Sequence, residues 1–282
     1  MLNATDNVSK PKTQLAVVGK KIGQKLGIAH RGLRILKVFC GEPLPVSILY
    51  HLRRLVLEPN ALNSFLRMYV STGHALNNKL LAEYFGSTRL GEWSLSAQTL
   101  NFIEERINEH VPQFILEFGS GISTVCLAQY MREVHGSLDV PRVLSVEHSP
   151  NFADNTLALL CDLGLEQMAR IVCLPLTRVD VEDTETVCYD LQSDMFRQFL
   201  GDVIVDMVLI DGPISAISSR FATIPLVRDF VRPGTVFFLD DALRDAELRV
   251  GHQWSSLPYI HVEGVYMVGK GLLVGQFLNG NE

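Results

Sequence analysis

Phe114-Ile115-Leu116-Glu117-Phe118-Gly119-Ser120-Gly121-Ile122-Ser123-Thr124 is the stretch on which the reading of this chain turns. An apolar run of strand length leads directly into Gly-Ser-Gly, and a helical pattern begins near Ser123. In open α/β folds the first strand-to-helix turn lies at the carboxyl ends of the strands, where a nucleotide-like ligand sits. Glycine there removes the Cβ that would hold a ligand away from the backbone. A Gly-x-Gly by itself occurs in many tight turns, so its neighbours carry more weight. Glu117 ends the strand, and Thr124 stands where a dinucleotide fingerprint has its third glycine. A carboxylate beside the turn repels a pyrophosphate but can pair with the α-amino group of a methionine moiety, directly or through water. The pattern selects S-adenosylmethionine over NAD and makes Glu117, Gly119, Ser120, Gly121 and Thr124 candidate cofactor residues.

Outward from this turn, short apolar runs alternate with longer amphipathic ones, the pattern of a parallel sheet covered by helices on both faces. Strands are predicted at Phe114–Phe118, Val143–Glu147, Arg170–Cys173, Met207–Asp211 and Thr235–Asp240. Helices fit at Ser123–Val134, Pro150–Leu163, Phe196–Leu200 and Ala222–Phe230. Two further runs, Tyr259–Val268 and Leu272–Leu278, flank Gly269-Lys270-Gly271 and predict an antiparallel hairpin. The expected fold is α/β: a doubly wound, mostly parallel seven-stranded sheet closed by a C-terminal antiparallel hairpin, with an N-terminal helical extension. Three segments follow: a basic tail over 1–43, a helical extension over 44–110 acting as lid or oligomer interface, and a cofactor-binding domain over 111–282. Within the extension, periodicity predicts helices at Val46–Leu57, Ala61–Tyr69, Asn77–Tyr84 and Ser96–Ile107.

Composition narrows the class of protein. An apolar fraction of 47% with 20% charged residues suits a globular chain with a substantial core. The formal net charge of −6 leaves no basic surplus for nucleic acid. The five cysteines, Cys40, Cys126, Cys161, Cys173 and Cys188, form no Cys-x-x-Cys pair and read as reduced, mostly buried thiols of a cytoplasmic protein. No apolar run reaches the ~18 residues of a membrane span. Charge is uneven, however: from Lys10 to Lys37 basic residues meet no acidic one and alternate with apolar residues. That segment could lie peripherally on an anionic membrane surface or pack on its own protein.

The other chemistry-bearing residues fall at predicted strand ends. Glu147 ends the second strand, placed to accept hydrogen bonds from ribose hydroxyls, with His148 as a wall of the same pocket. Asp211 ends the fourth strand and Asp240-Asp241 the fifth. Three carboxylates on one rim suit Mg²⁺ or another hard divalent ion, or a general base for a hydroxyl. The structural alternative makes Asp240-Asp241 the cap and first-turn acid of a helix. Arg220 and Arg244 could hold an acidic or phosphorylated acceptor through paired hydrogen bonds, or bridge to Asp245 and Glu247. Trp93 and Trp254 could line an acceptor pocket or pack in the core.

With Val146-Glu147-His148-Ser149, Leu209-Ile210-Asp211-Gly212-Pro213 and Val231-Arg232-Pro233-Gly234-Thr235, the run Ile115–Thr124 resembles the class I S-adenosylmethionine-dependent methyltransferases, over residues 96–278. A five-strand parallel run closed by a hairpin is that family's ending. The resemblance implies that the glycine turn holds the methionine part, that Glu147 holds ribose, and that the loop after the third strand, near Leu176, borders adenine. Asp211 with Asp240-Asp241 resembles the metal-binding set of catechol-type O-methyltransferases, although Asp241 stands in place of asparagine and Gly212-Pro213-Ile214 carries no lysine. Asp211-Gly212-Pro213, Ser219-Arg220-Phe221 and Asp240-Asp241-Ala242-Leu243-Arg244-Asp245-Ala246-Glu247 look similar to methyltransferases acting on sugar residues of polysaccharides. These resemblances imply an O-methyltransferase whose acceptor is a small molecule or glycan, working by in-line displacement at a sulfonium. They oppose two other readings, a non-catalytic scaffold retaining the cofactor fold and an NAD-linked oxidoreductase; Thr124 and the closing hairpin disfavour the latter.

Overall fold

The computed structural model describes residues 42–55, 75–86, 94–136, 140–213 and 220–279. The basic segment 10–37, Cys40, the expected helix Ala61–Tyr69, Trp93 and Ser219 lie outside the described residues.

The order of elements begins with α1 (Val46–Leu55), α2 (Lys79–Phe85) and α3 (Ala97–His110). Next come β1 (Ile115–Phe118), α4 (Ile122–His135), β2 (Val143–Glu147), α5 (Pro150–Asp162) and β3 (Ala169–Cys173). An antiparallel pair, β4 (Leu176–Val181) and β5 (Thr184–Tyr189), precedes α6 (Asp194–Leu200) and β6 (Val205–Ile210). The chain continues through α7 (Thr223–Val227), a 3-10 turn at Arg228–Phe230, β7 (Val231–Leu239), α8 (Asp245–Trp254), β8 (Ile260–Tyr266) and β9 (Leu272–Phe277).

Seven strands form one sheet in the order β3-β2-β1-β6-β7-β9-β8. The first five are parallel; β9 runs antiparallel to β7 and pairs with β8 as the expected hairpin. The strand order reverses between β1 and β6, and the crevice opened there is where open α/β sheets bind ligands.

Alternation within β1 decides which side chain meets which layer. Leu116 and Phe118 join the core on one face with Phe196, Phe237 and Trp254, whereas Ile115 joins the core beneath α3 and α4. Glu117 shares the face of Ile115, so the strand's period of two sends its carboxylate under α4. The helical extension is docked on this frame. α1 packs on α8 and β8, Leu44 and Val265 exchange two main-chain hydrogen bonds of 2.8 Å, and α3 packs on α4. Ser96 caps α3 by accepting from the Thr99 amide at 3.1 Å. None of the helices is long and apolar enough to cross a membrane, among the described residues.

Several expectations need correction. The segment after β3 is a hairpin rather than a plain loop, and its two central residues, Glu182 and Asp183, both have positive φ (50° and 56°). Such a turn ordinarily advertises itself through Asn-Gly or Asp-Gly, and here no glycine marks it. Asp240-Asp241 do not open a helix: the next one starts at Asp245, with Arg244 as its N-cap and Asp245 and Glu247 in its first turn. Trp254 is wholly buried, its indole N–H donating to the Phe221 carbonyl at 2.9 Å, so it belongs to the core. Of the described cysteines, Cys126 and Cys188 are buried, but Cys161 and Cys173 are exposed.

Candidate active site

Main-chain hydrogen bonds align the carboxyl ends of four strands. The Gly119 amide donates to the Val146 carbonyl (2.8 Å), the Asp211 and Gly212 amides to the Phe118 carbonyl (2.9 and 2.7 Å), and the Asp240 amide to the Ile210 carbonyl (3.0 Å). A cleft opens across this rim, lined at one end by Gly119, Ser120, Glu147, His148 and Phe152 and at the other by Asp211, Gly212, Arg220, Asp241, Arg244 and Lys270. Gly119 adopts φ +94°, and a Cβ there would stand 3.1 Å from the Gly212 amide nitrogen, so both conformation and space demand glycine.

Beneath the turn, the Gly121 amide donates to Thr124 Oγ1 (3.0 Å), which donates to Glu117 Oε2 (2.6 Å). Glu117 is completely buried and is not among the residues that line the cleft; its carboxylate braces the turn through Thr124. Its Oε1 has no hydrogen-bond partner among the described residues. Desolvation outweighs the hydroxyls that face this group and pushes its pKa up to about 7. Because the folded pKa exceeds the unfolded one, the folded state holds this proton while the unfolded chain releases it. Stability is therefore highest below the ordinary carboxylate pKa and falls as pH rises to 7, by roughly 3 kcal/mol from this group alone. Glu117→Gln is expected to shrink the fall in melting temperature between pH 5 and pH 8; an unchanged fall would show that Glu117 titrates normally.

Glu147 stands at the cleft itself. Its Oε2 accepts from the Ser120 amide (2.9 Å) and hydroxyl (3.3 Å), and its Oε1 from the amides of His148 (2.7 Å) and Ser149 (2.8 Å). These amides tie the end of β2 to the glycine turn. His148 Nδ1 lies 3.0 Å from Glu147 Oε1 without making a hydrogen bond, leaving the ring as a wall of the cleft. Leu176 opens β4, packs against the core and pairs in register with Tyr189, a residue of the cleft wall, without itself lining the cleft.

At the other end the three predicted carboxylates do converge. Asp211, Asp240 and Asp241 each bring an oxygen within 4.8 Å of the others. Burial raises the Asp211 pKa to about 6, with Arg220 opposing the rise and Asp241 adding to it. Desolvation, reinforced by Asp211 and Asp241, pushes Asp240 well above the usual carboxylate range. Asp240 Oδ1 and Asp241 Oδ1 are buried without a hydrogen-bond partner among the described residues. Asp241 is held at φ +59°, turning the chain sharply after β7.

Arg220, which the sequence offered as an acceptor-binding residue, is 5% exposed and is largely engaged by the protein. It donates to the Asp240 carbonyl (3.1 Å) and to the Asp211 carbonyl, and lies 3.5 Å from Asp211 Oδ1, 3.8 Å from Asp241 Oδ2 and 3.6 Å from Glu247 Oε1. Arg244 remains half-exposed and pairs with Asp241 Oδ2 at 2.8 Å, whereas Asp245 pairs with Arg249. Lys270, at the tip of the closing hairpin, reaches to 3.9 Å from Asp241 Oδ1. Lys270, Phe152 and Tyr189 line the cleft although sequence reasoning assigned them no role. Gly269-Lys270-Gly271 was visible as a turn, but nothing local showed that the β8–β9 hairpin folds back onto the rim.

The sheet order, the glycine turn at the end of β1 and the acid at the end of β2 give this chain the Rossmann-like fold of the class I S-adenosylmethionine-dependent methyltransferases. The family comparison agrees, for residues 116–242 match the model described as a methyltransferase domain. Among solved structures the fold is similar to the S-adenosylhomocysteine-bound Podospora anserina methyltransferase PaMTH1 (13% identity, 78% of this chain and 95% of that one, TM-score 0.54). It is also similar to the Bacillus cereus O-methyltransferase in complex with S-adenosylhomocysteine (15% identity, 82% and 97%, TM-score 0.51). None of the curated protein sequences matches this chain.

Proposed function

We propose that this protein is an S-adenosylmethionine-dependent methyltransferase that transfers the methyl group to a hydroxyl oxygen of a small molecule or of a sugar in a glycan. The observation that carries the reading is the layout of the cleft, with the Gly119-Ser120-Glu147 cradle at one end and, at the other, Asp211 and Asp241, which cluster with the buried Asp240 behind them. S-adenosylmethionine supplies an electrophilic methyl on a sulfonium, so the protein's task is to align an oxygen in line with it and keep water out. Asp211 is the rim carboxylate with most access to the cleft, and its raised pKa suits it to receive a hydroxyl proton. Arg244 and Lys270 offer donors to polar groups of an acceptor, and Phe152 offers an apolar face.

The rim also fits a divalent ion: its donors are all oxygen, they converge, and two of the buried oxygens have no hydrogen-bond partner. Asp211, Asp240 and Asp241 would hold the ion, which would lower the pKa of the acceptor hydroxyl. Arg220, Arg244 and Lys270 already balance part of the carboxylate charge, so the ion competes with fixed cations. Acidic net charge supports an acceptor other than nucleic acid. The same reading places the enzyme in the cytoplasm, its basic tail a candidate for peripheral membrane contact and its helical extension a candidate homo-oligomer interface.

The test is calorimetric titration with S-adenosylhomocysteine, with NAD as control and with and without Mg²⁺. Binding of S-adenosylhomocysteine alone is the expected result; binding of NAD alone would remove the reading. Glu147→Ala is expected to weaken S-adenosylhomocysteine binding at least tenfold, and also to lower the melting temperature, because three main-chain amides lose their acceptor. Wild-type affinity in a folded Glu147→Ala protein would exclude Glu147 from the pocket.

A further inference from the structure

Tyr189 ends β5, the second strand of the inserted hairpin, and is completely shielded from solvent. Its hydroxyl nevertheless has no hydrogen-bond partner among the described residues. The ring is held in place, stacked on Phe118 at 5.8 Å between centroids and tilted against His148 at 6.1 Å. The main chain at Gly212 passes so close that a Cβ there would collide with the hydroxyl, and the same Cβ would stand 3.1 Å from Gly119. The hydroxyl thus lies at the seam between the glycine turn after β1 and the Asp211-Gly212 turn after β6, in the wall of the cleft. A buried hydroxyl with no partner costs about 1–3 kcal/mol, and phenylalanine would fill the same space without that cost. Folding alone therefore favours phenylalanine at this position, and the hydroxyl requires another explanation.

We propose that Tyr189 is a cofactor-contacting residue whose hydroxyl donates a hydrogen bond to an oxygen of bound S-adenosylmethionine. The inference rests on the cofactor reading above and adds a contact supplied by the inserted hairpin. Cofactor oxygens occur in two places, the ribose and the methionine carboxylate. The protonated amino group and the sulfonium offer no acceptor.

The experiment compares wild type with Tyr189→Phe in two ways: urea unfolding without ligand, and calorimetric titration with S-adenosylhomocysteine and with 5′-methylthioadenosine, which lacks the amino-acid part. The expected result is a Tyr189→Phe protein at least as stable as wild type that binds S-adenosylhomocysteine about 3- to 10-fold more weakly, the loss of one hydrogen bond. Weakening of both ligands assigns the bond to a ribose oxygen; weakening of S-adenosylhomocysteine alone assigns it to the carboxylate. Unchanged affinity for S-adenosylhomocysteine overturns the proposal, and so does a variant destabilised in the absence of ligand, since the hydroxyl would then serve the fold. If wild type itself fails to bind S-adenosylhomocysteine, the cofactor reading fails, not merely this contact.

Discussion

Replacement of Arg220 by alanine is expected to destabilise the protein by about 3–5 kcal/mol, the range for removing one partner from a buried ionic cluster. The guanidinium is 5% exposed and holds the turns after β6 and β7 together through the main-chain carbonyls of Asp211 and Asp240. It also stands between the carboxylates of Asp211, Asp241 and Glu247, all within 4 Å. Without it those carboxylates face one another across a desolvated space and must protonate or draw water in. A domain's whole stability is about 5–15 kcal/mol, so the loss should be large in urea unfolding. Glu247→Gln in the Arg220→Ala background should recover part of it by removing one uncompensated charge. A loss below 1 kcal/mol would mean that the cluster is not desolvated as its burial implies. Lysine is a poor replacement, because one ammonium cannot satisfy two carbonyls and three carboxylates in Arg220's planar geometry.

The largest effect on activity is expected at Asp211. Asp211→Asn keeps the shape and the main-chain carbonyl that Arg220 holds, but removes the proton acceptor and one carboxylate of the rim. The turnover of an identified hydroxyl acceptor should fall about 10²- to 10⁴-fold, with affinity for S-adenosylhomocysteine and thermal stability close to wild type. Desolvation already disfavours the charged form of Asp211, so its neutral replacement should not weaken the fold. A turnover within a fewfold of wild type would remove Asp211 from the chemistry. Chelation separates the two roles of the rim. Activity lost with chelator and restored by Mg²⁺ identifies an ion held by the carboxylates, whereas activity indifferent to chelator identifies Asp211 as the base.

Local sequence carried much of this architecture because its signals are short-range. The run Ile115–Phe118, the glycines and the pattern after Ser123 specify strand, turn and helix through residues that touch one another along the chain. The five parallel strands and the closing hairpin followed from the same kind of signal, and strand-end positions sufficed to group Asp211, Asp240 and Asp241. The inserted β4–β5 hairpin escaped because Glu182 and Asp183 make its turn without glycine.

What the sequence by itself determined was therefore the order of elements, the class of fold and the identity of the carboxylates at the strand ends. Only the tertiary structure decided which of these groups face the cleft. The period of β1 buries Glu117 beneath α4, where it braces the turn, while Glu147 remains at the surface of the pocket. Arg220 is drawn inward because the turns after two neighbouring strands present carbonyls and carboxylates that only a buried cation can balance. Tyr189 and Lys270 reach the cleft from an inserted and a terminal hairpin, separated from Glu147 and Asp211 along the chain. Sequence patterns report on neighbours within a turn or a strand, whereas burial and charge balance at a site depend on which distant segments the sheet brings together.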